Sequence, residues 1–281
     1  MKTVLIGTKS IILPDGHFLD EIYNKIPTYD FLPWDIIGYL LINNNLLNYP
    51  LIDIGANIGD SYAHFRRYSN AMVFAIEPNK KFFEFLKKNT MGDKNVKLIN
   101  SLYCPKELQN KISYVSDNNR TGQTIISTQK EIEIDLKFIT IDEIISEIGN
   151  FFILKSDTDG FDDVIVKDIL EFNLKYNIDC PLYFFEGPNS DQIKNFGYDS
   201  FIDLVTYMQK LGYKILFFSN FGIPLAYCGS NIEVTYSIFH FLKYSYSKNM
   251  AFCHYFDILA FSSELKFDLK DLIEKILFRT P

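Results

Sequence analysis

The sequence has few of the residues that build zinc sites and disulfide frameworks. Its four cysteines are widely spaced along 281 residues and form no CxxC pair, and its four histidines form no HxxxH or HExxH pattern. The spacing excludes the common structural zinc sites and a disulfide-stapled scaffold. Scattered, unpaired cysteines are typical of a reducing compartment, so we expect a cytoplasmic location.

Long apolar runs and a surplus of positive charge are also missing. No window approaches the run of about 18 apolar residues that a membrane-spanning helix needs. The N-terminal apolar stretch is broken early by Gly7 and Lys9, so we expect no signal peptide. The net charge of −7 disfavours a nucleic-acid backbone as the partner. With 47% hydrophobic residues, the chain can bury a large core, and we expect a soluble globular protein without a membrane span.

From residue 50 onward, apolar runs suited to strands alternate with helix-like stretches. The strand runs are almost continuously apolar, as in FFIL and LYFF, which is typical of parallel strands covered by helices on both faces. The alternation predicts an α/β fold: a doubly wound, mostly parallel, Rossmann-like sheet of seven strands. The predicted strands are 51–54, 72–77, 96–100, 151–157, 182–186, 214–219 and 256–261, and the predicted helices are 60–68, 80–89, 141–148, 164–172 and 200–211.

The first 49 residues differ from the rest of the chain in their pattern. Pro27, Pro33 and the only tryptophan, Trp34, stand ahead of the apolar stretch IIGYLLI. We interpret residues 1–49 as an N-terminal helical cap on the sheet and residues 50–281 as the main domain. Residues 221–250, rich in Tyr, Phe and Ser, read as an insertion between the last two strands.

The segment PLIDIGANIGD contains a glycine turn at the end of the first predicted strand. Gly55 and Gly59 allow a tight turn and a close approach of the backbone to a ligand. Glu77 ends the next strand 24 residues after Asp53, about where such folds place an acid that holds ribose hydroxyls. The alternative is a turn that uses glycine for its geometry alone, with Glu77 as a solvated strand end.

The loop departs from the dinucleotide fingerprint in two places. GxGxxG would need glycines where the sequence has Asn57 and Asp60. Asp60 would also place a negative charge where a phosphate sits. A phosphate-free nucleoside with a positive charge tolerates that charge, which favours S-adenosylmethionine over NAD or ATP.

Several motifs together resemble one family. DIGANIGDSY, VFAIEPNKKF, TIDEII, LKSDTDGFDDVIVKDI and PLYFFEG follow each other in the order and spacing of the FkbM family of S-adenosylmethionine-dependent methyltransferases. The similarity covers roughly residues 50–220 and implies S-adenosylmethionine as the cofactor. The cofactor-binding residues are then Asp53, Gly55, Asn57, Gly59 and Asp60 at the methionine end, Glu77 and Pro78 at the ribose, and Asn100 and Ser101 beside the adenine.

The segment LKSDTDGFDD follows the fourth strand and carries the candidate chemistry. Lys155, Asp157 and Asp159 share a face if the chain is extended. Asp157, at the end of a central strand, is either a general base for a hydroxyl acceptor or a ligand of a divalent cation. Lys155 balances charge or orients the acceptor, and Glu186 is a second candidate base or cation ligand. The alternative is that Asp157 caps the following helix.

Three further residues are candidates for contact with the acceptor. They are Asp159, Arg120 in the polar loop 116–128, and His64 one turn into the first helix of the domain. A surface loop arginine and a solvated helix histidine are the alternatives.

The function predicted from the sequence is therefore an S-adenosylmethionine-dependent O-methyltransferase. The acceptor class, a sugar or glycan hydroxyl, follows from the family resemblance alone. The alternatives are an NAD-dependent oxidoreductase on the same sheet and a non-catalytic binding protein, which an occluded Asp157 would favour. The expected partner is a small-molecule or glycan acceptor and no nucleic acid, while the oligomeric state, a homo-oligomer included, stays open.

Overall fold

The computed structural model describes residues 2–27, 29–116, 122–126, 137–188, 199–248, 255–272 and 274. The strands are β1 (Lys2–Ile6), β2 (Lys9–Leu13), β3 (Leu51–Ile54), β4 (Val73–Ile76), β5 (Val96–Ile99), β6 (Leu102–Tyr103), β7 (Ile112–Ser116), β8 (Gly122–Ile126), β9 (Phe138–Ile139), β10 (Ile153–Ser156), β11 (Leu182–Glu186), β12 (Tyr213–Ser219), β13 (Pro224–Gly229) and β14 (Phe256–Ser262). The helices are α1 (Leu19–Lys25), α2 (Phe31–Asn43), α3 (Asp60–Phe65), α4 (Lys80–Asn89), α5 (Ile141–Ile148), α6 (Asp162–Tyr176), α7 (Asp199–Lys210), α8 (Ile232–Ser247) and α9 (Leu269–Leu272), with a 3₁₀ turn at Lys106–Leu108.

An eight-stranded sheet in the order β13-β12-β14-β11-β10-β3-β4-β5 forms the centre of the molecule. The run from β11 to β5 is parallel, whereas β14 is antiparallel to both of its neighbours. The predicted doubly wound, mostly parallel sheet is confirmed. The predicted strand count was one short, because β13 lies in the segment read as an insertion and pairs with β12 at the edge. Its sequence PLAYCG begins with proline, which edge strands tolerate, and has no continuous apolar run.

Helices cover both faces of this sheet. On one face, side chains such as Ile54 pack with Ile165 of α6 and Val205 of α7 in one buried cluster. On the other, Trp34 of α2 and Leu86 of α4 belong to a second buried cluster. None of the helices in the described ranges combines the length and apolar character needed to cross a membrane.

The N-terminal segment is a hairpin followed by two helices, so the predicted helical cap is helical only in its second part. β1 and β2 pair antiparallel around Gly7, whose φ of 58° gives the turn. Gly7, which interrupts the apolar stretch, thus lies in the turn of a hairpin, and Lys9 begins β2. The IIGYLLI stretch does form a helix, α2, and Trp34 on it packs edge-on against Phe184 of β11 at 6.0 Å between ring centroids.

Candidate active site

A cavity of about 630 Å³ lies where the loops after β3, β4, β10 and β11 meet the N-terminal segment. This is the carboxyl edge of the parallel strands, where open α/β sheets bind ligands. Lys155 is on its wall among many acids. The acidic side chains that line it are Glu21, Asp30, Asp60, Glu77, Asp157, Asp159, Glu186 and Asp257. The cavity is therefore suited to a ligand that carries positive charge and not to a phosphate.

The glycine loop after β3 turns by placing three residues in the left-handed region. The φ angles are 76° at Gly55, 47° at Asn57 and 96° at Gly59. A Cβ on Gly55 would lie 1.9 Å from the carbonyl oxygen of Asp157, and one on Gly59 would lie 2.9 Å from Cδ1 of Leu86. Gly55 is thus required because the backbone of Asp157 passes so close, whereas at Gly59 the φ of 96° would strain any side chain. Asn57 takes the position of the missing fingerprint glycine, and asparagine tolerates that conformation.

The carboxylate of Glu77 accepts hydrogen bonds from two backbone N–H groups. Its Oε2 accepts a hydrogen bond from the Asn57 N–H at 2.8 Å, and its Oε1 accepts one from the Asn79 N–H at 2.7 Å. The residue is 5% exposed, and burial raises its pKa to about 7 against the opposing effect of these hydrogen bonds. Each carboxylate oxygen keeps a second lone pair that a ligand hydroxyl could use.

Lys155 joins two carboxylates beneath the cavity. The parallel register of β10 and β3 places Lys155 beside Asp53, and its Nζ lies 3.3 Å from Oδ1 of Asp53 and 3.4 Å from Oδ2 of Asp157. Burial acts to lower the pKa of Lys155, but Asp157 and Asp53 outweigh it and raise that pKa. Burial raises the pKa of Asp53 to about 6. Asp53 is fully buried behind Lys155, so it supports the wall of the cavity and does not line it.

Asp157 extends into the cavity, where its side chain is 53% exposed. Asp157 does not cap the next helix, because α6 has Phe161 at its N-cap and no side-chain cap hydrogen bond. Asp162 holds the loop before α6 instead, since its carboxylate accepts hydrogen bonds from Ser156 Oγ at 2.5 Å and from the Thr158 N–H at 3.2 Å. Asp157 is consequently open to a ligand. The occlusion that would have favoured a non-catalytic scaffold is not found.

Glu186 and Asp159 also line the cavity, and a hydrogen bond joins them. The Asp159 N–H donates to Oε2 of Glu186 at 3.2 Å, and Asp159 has a left-handed φ of 53°. Burial, with Asp159 and Asp157 nearby, raises the pKa of Glu186 well above its usual range. Glu186 therefore holds a proton more readily than an ordinary glutamate. Among the residues that the structure describes, no group of three or more His, Cys, Asp or Glu side chains could hold a metal ion.

His64 lies in the core and not in the cavity, so its assignment to the acceptor is corrected. It is 1% exposed, its Nε2 is 3.0 Å from the Tyr23 hydroxyl, and its ring stacks on Trp34 at 6.1 Å. Burial lowers its pKa to about 3. The reason is the packing of α2 on α3, which turns this face of the helix inward. Arg120 lies outside the described residues.

The adenine assignment of Asn100 and Ser101 also changes. The Asn100 side chain donates to the carbonyl oxygens of Glu77 at 2.8 Å and of Pro78 at 3.2 Å, so it holds the loop that carries Glu77. Pro78 does line the cavity. The next two residues, Leu102 and Tyr103, line it as well, whereas Asn100 and Ser101 do not.

Sequence reasoning missed the part of the wall that distant segments supply. These lining residues are His17, Phe18, Tyr29, Asp30, Asn220, Phe221, Tyr255 and Asp257. β14 is antiparallel to β11, so its start lies at the carboxyl edge of that neighbour. Asp257 indeed pairs with Glu186 in the register of β14 and β11.

Comparisons with known proteins give one family match and several similar solved structures. A family model described as the methyltransferase FkbM domain matches residues 53–215, and a comparison with curated proteins gives no match. Similar solved structures include the plantazolicin methyltransferase BpumL in complex with SAH, at 13% identity over 87% of this chain and 89% of that one, with a TM-score of 0.44. The METTL16 MTase domain is 12% identical over 84% of this chain and 68% of that one, with a TM-score of 0.44. The Methanococcus jannaschii fibrillarin pre-rRNA processing protein is 8% identical over 77% of this chain and 67% of that one, with a TM-score of 0.42. The family match includes the glycine loop, Glu77, Lys155, Asp157 and Glu186.

Proposed function

This chain belongs to the FkbM family of S-adenosylmethionine-dependent methyltransferases, and we propose that it methylates a hydroxyl group of a sugar or glycan precursor. The observation that supports this most is one cavity that contains both Glu77, fixed in the glycine loop, and Asp157, exposed beside Lys155. The choice of a sugar hydroxyl rests on the family resemblance.

The residues around the glycine loop fit a phosphate-free nucleoside. Glu77 accepts hydrogen bonds from the ribose hydroxyls, and Asp60 favours the cationic methionine end while it repels a phosphate. Asn57, whose N–H holds Glu77, also pairs with the side chain of His17 at this wall.

Asp157 is the residue we assign to the proton transfer. When bound, S-adenosylmethionine would supply the methyl group, and the bond from that methyl group to the cationic sulfur would break to leave neutral S-adenosylhomocysteine. Asp157 accepts the proton of the acceptor hydroxyl as the oxygen forms its bond to carbon, and later releases it to water. Lys155 holds the Asp157 carboxylate at the end of β10 and balances its charge. Most of the remaining rate increase comes from holding donor and acceptor in line.

A transfer assay tests this proposal. The protein is incubated with methyl-labelled S-adenosylmethionine and a panel of neutral sugars, amino sugars and nucleotide sugars, and label in the sugar is measured. We expect transfer to at least one sugar hydroxyl and its loss in Asp157→Asn. A protein that binds S-adenosylhomocysteine but labels no sugar would contradict the acceptor class, and one that binds no S-adenosylhomocysteine would contradict the activity.

A further inference from the structure

Glu186 and Asp257 form a pair of carboxyl groups on two neighbouring strands. They are directly opposite each other in the antiparallel register of β11 and β14, and both line the cavity. Residues in opposite positions point to the same face of a sheet, and like charges there destabilise it. A pair of this kind is expected where a ligand offsets the repulsion, because proteins accept unfavourable local choices mainly at functional sites.

Both carboxyl groups have oxygens left for a ligand. Glu186 is 4% exposed, and in the described part of the chain its carboxylate accepts one hydrogen bond, from the Asp159 N–H to Oε2. Asp257 has no side-chain hydrogen bond or ion pair with another described residue. Neither residue has an oxygen among the unpaired atoms that are closed off from solvent. The unpaired oxygens are therefore open to the cavity.

The electrostatic surroundings of the pair favour a cation as that ligand. Burial raises the pKa of both groups, and neighbouring carboxyl groups raise each pKa further. A cation bound between them would offset both effects. Lys155 is not available for this role, because its Nζ is held by Asp53 and Asp157. The counter-charge is thus left for a ligand to supply.

An organic ammonium group suits this place better than a metal ion. Within the described ranges, no three His, Cys, Asp or Glu side chains come together in a way that could hold a metal. Tyr29 and Tyr255 line the cavity close to Asp257, and aromatic rings attract organic cations. An ammonium group also has three N–H donors, so it can bind both carboxyl groups at once.

We propose that Glu186 and Asp257 together bind an ammonium group of the acceptor, which makes the acceptor an amino sugar. The inference rests on the proposed function and narrows its acceptor class. Asp157, the assigned base, is close enough to affect both groups. The ammonium group and the hydroxyl that receives the methyl group therefore belong to the same sugar residue.

Matched sugars test this with the full chain in the methyl-transfer assay. Glucose, galactose and mannose are each compared with their 2-, 3- and 6-amino derivatives at about pH 6.5, where the amine is charged and the sugar has nearly the same size. We expect kcat/KM to be about 10–100-fold higher for at least one amino sugar than for its parent, the range for a hydrogen bond to a charged group. Asp257→Asn and Glu186→Gln should each lower this ratio by about tenfold. Glu264→Gln, at an exposed acid in the turn after β14, is the matched control and should keep the ratio of the wild type.

The other outcomes count against the inference. Parent sugars that are methylated as well as all their amino derivatives overturn it and leave the proposed function standing, since a protonated pair would then bind a neutral hydroxyl. A preference for amino sugars that survives both substitutions overturns the assignment to this pair. Partial unfolding of a variant lowers both rates alike and leaves their ratio readable. A wild-type protein that labels none of these sugars contradicts the proposed acceptor class, and the inference with it.

Discussion

The two sides of the cavity are built in different ways. The side that we assign to the methyl donor comes from one short stretch, in which the backbone N–H groups of Asn57 and Asn79 hold Glu77. The side that we assign to the acceptor brings Asp30, Phe221 and Asp257 together from distant parts of the chain. All three lie outside the family match at 53–215. A local motif thus specifies the donor site, whereas long-range packing specifies the acceptor site.

Asp157→Asn should show the largest effect and separate chemistry from donor binding. The amide cannot accept the hydroxyl proton, and general-base catalysis contributes about 10²–10⁴-fold. We expect methyl transfer to fall by that order, with the dissociation constant of S-adenosylhomocysteine changed by only a small factor. Asp142→Asn, at an exposed acid paired with Lys106, is the matched control and should leave both values unchanged. Normal transfer by Asp157→Asn would remove this residue from the mechanism.

Glu77→Gln tests the donor side alone. The amide replaces one acceptor oxygen of a buried carboxylate with a donor, and hydrogen bonds to charged groups are worth about 1.5–3 kcal/mol each. S-adenosylhomocysteine should therefore bind about 10–100-fold more weakly by calorimetry. Glu84→Gln, on the exposed face of the adjacent helix α4, serves as the control and should bind as the wild type does. Tight binding by Glu77→Gln would show that the ribose is held elsewhere.

The pH dependence of binding should also depend on Glu77. Its pKa is about 7 in the free protein, and its ionised form is the better acceptor for hydroxyls. Affinity for S-adenosylhomocysteine should rise with pH and level off above pH 7. Below pH 7 the affinity should fall by at most about tenfold for each pH unit. Titrations between pH 5.5 and 8.5 measure this. A profile in Glu77→Gln as steep as that of the wild type would assign the dependence to another group.

Asp30→Asn tests the acceptor side and should change stability more than donor binding. Burial raises the pKa of Asp30 to about 8, above its ordinary value of 3.8. The folded state therefore binds more protons than the unfolded state in this window, so this residue lowers stability as pH rises from about 4 to 8. The substitution should raise Tm more at pH 8.5 than at pH 5. The expected rise is about 2–4 °C for each kcal/mol of destabilisation that the substitution removes. Equal changes in Tm at the two pH values would contradict a raised pKa of the Asp30 carboxyl.

The sequence predicted the parallel half of the fold well. Strands β3 and β11 and helices α4 and α5 have the predicted bounds. Lys155, Asp157 and Glu186 meet at the cavity because each lies at or near the carboxyl end of a parallel strand, and those ends share one edge.

Other predictions failed where tertiary packing decides the outcome. Helical spacing alone could not show that the face of α3 with His64 turns toward Trp34. The edge strand β13 has no continuous apolar run, and the β1–β2 hairpin read as a broken apolar stretch. His17 and Asp30 belong to no motif, and only the packing of the N-terminal segment brings them to the cavity.

Calorimetric titration of the wild-type protein tests the central claim, that the glycine loop and Glu77 hold a phosphate-free, cationic nucleoside. We predict one S-adenosylhomocysteine bound per chain, with NAD unable to displace it. The absence of measurable heat with millimolar S-adenosylhomocysteine, or displacement by NAD at similar concentration, would contradict the account.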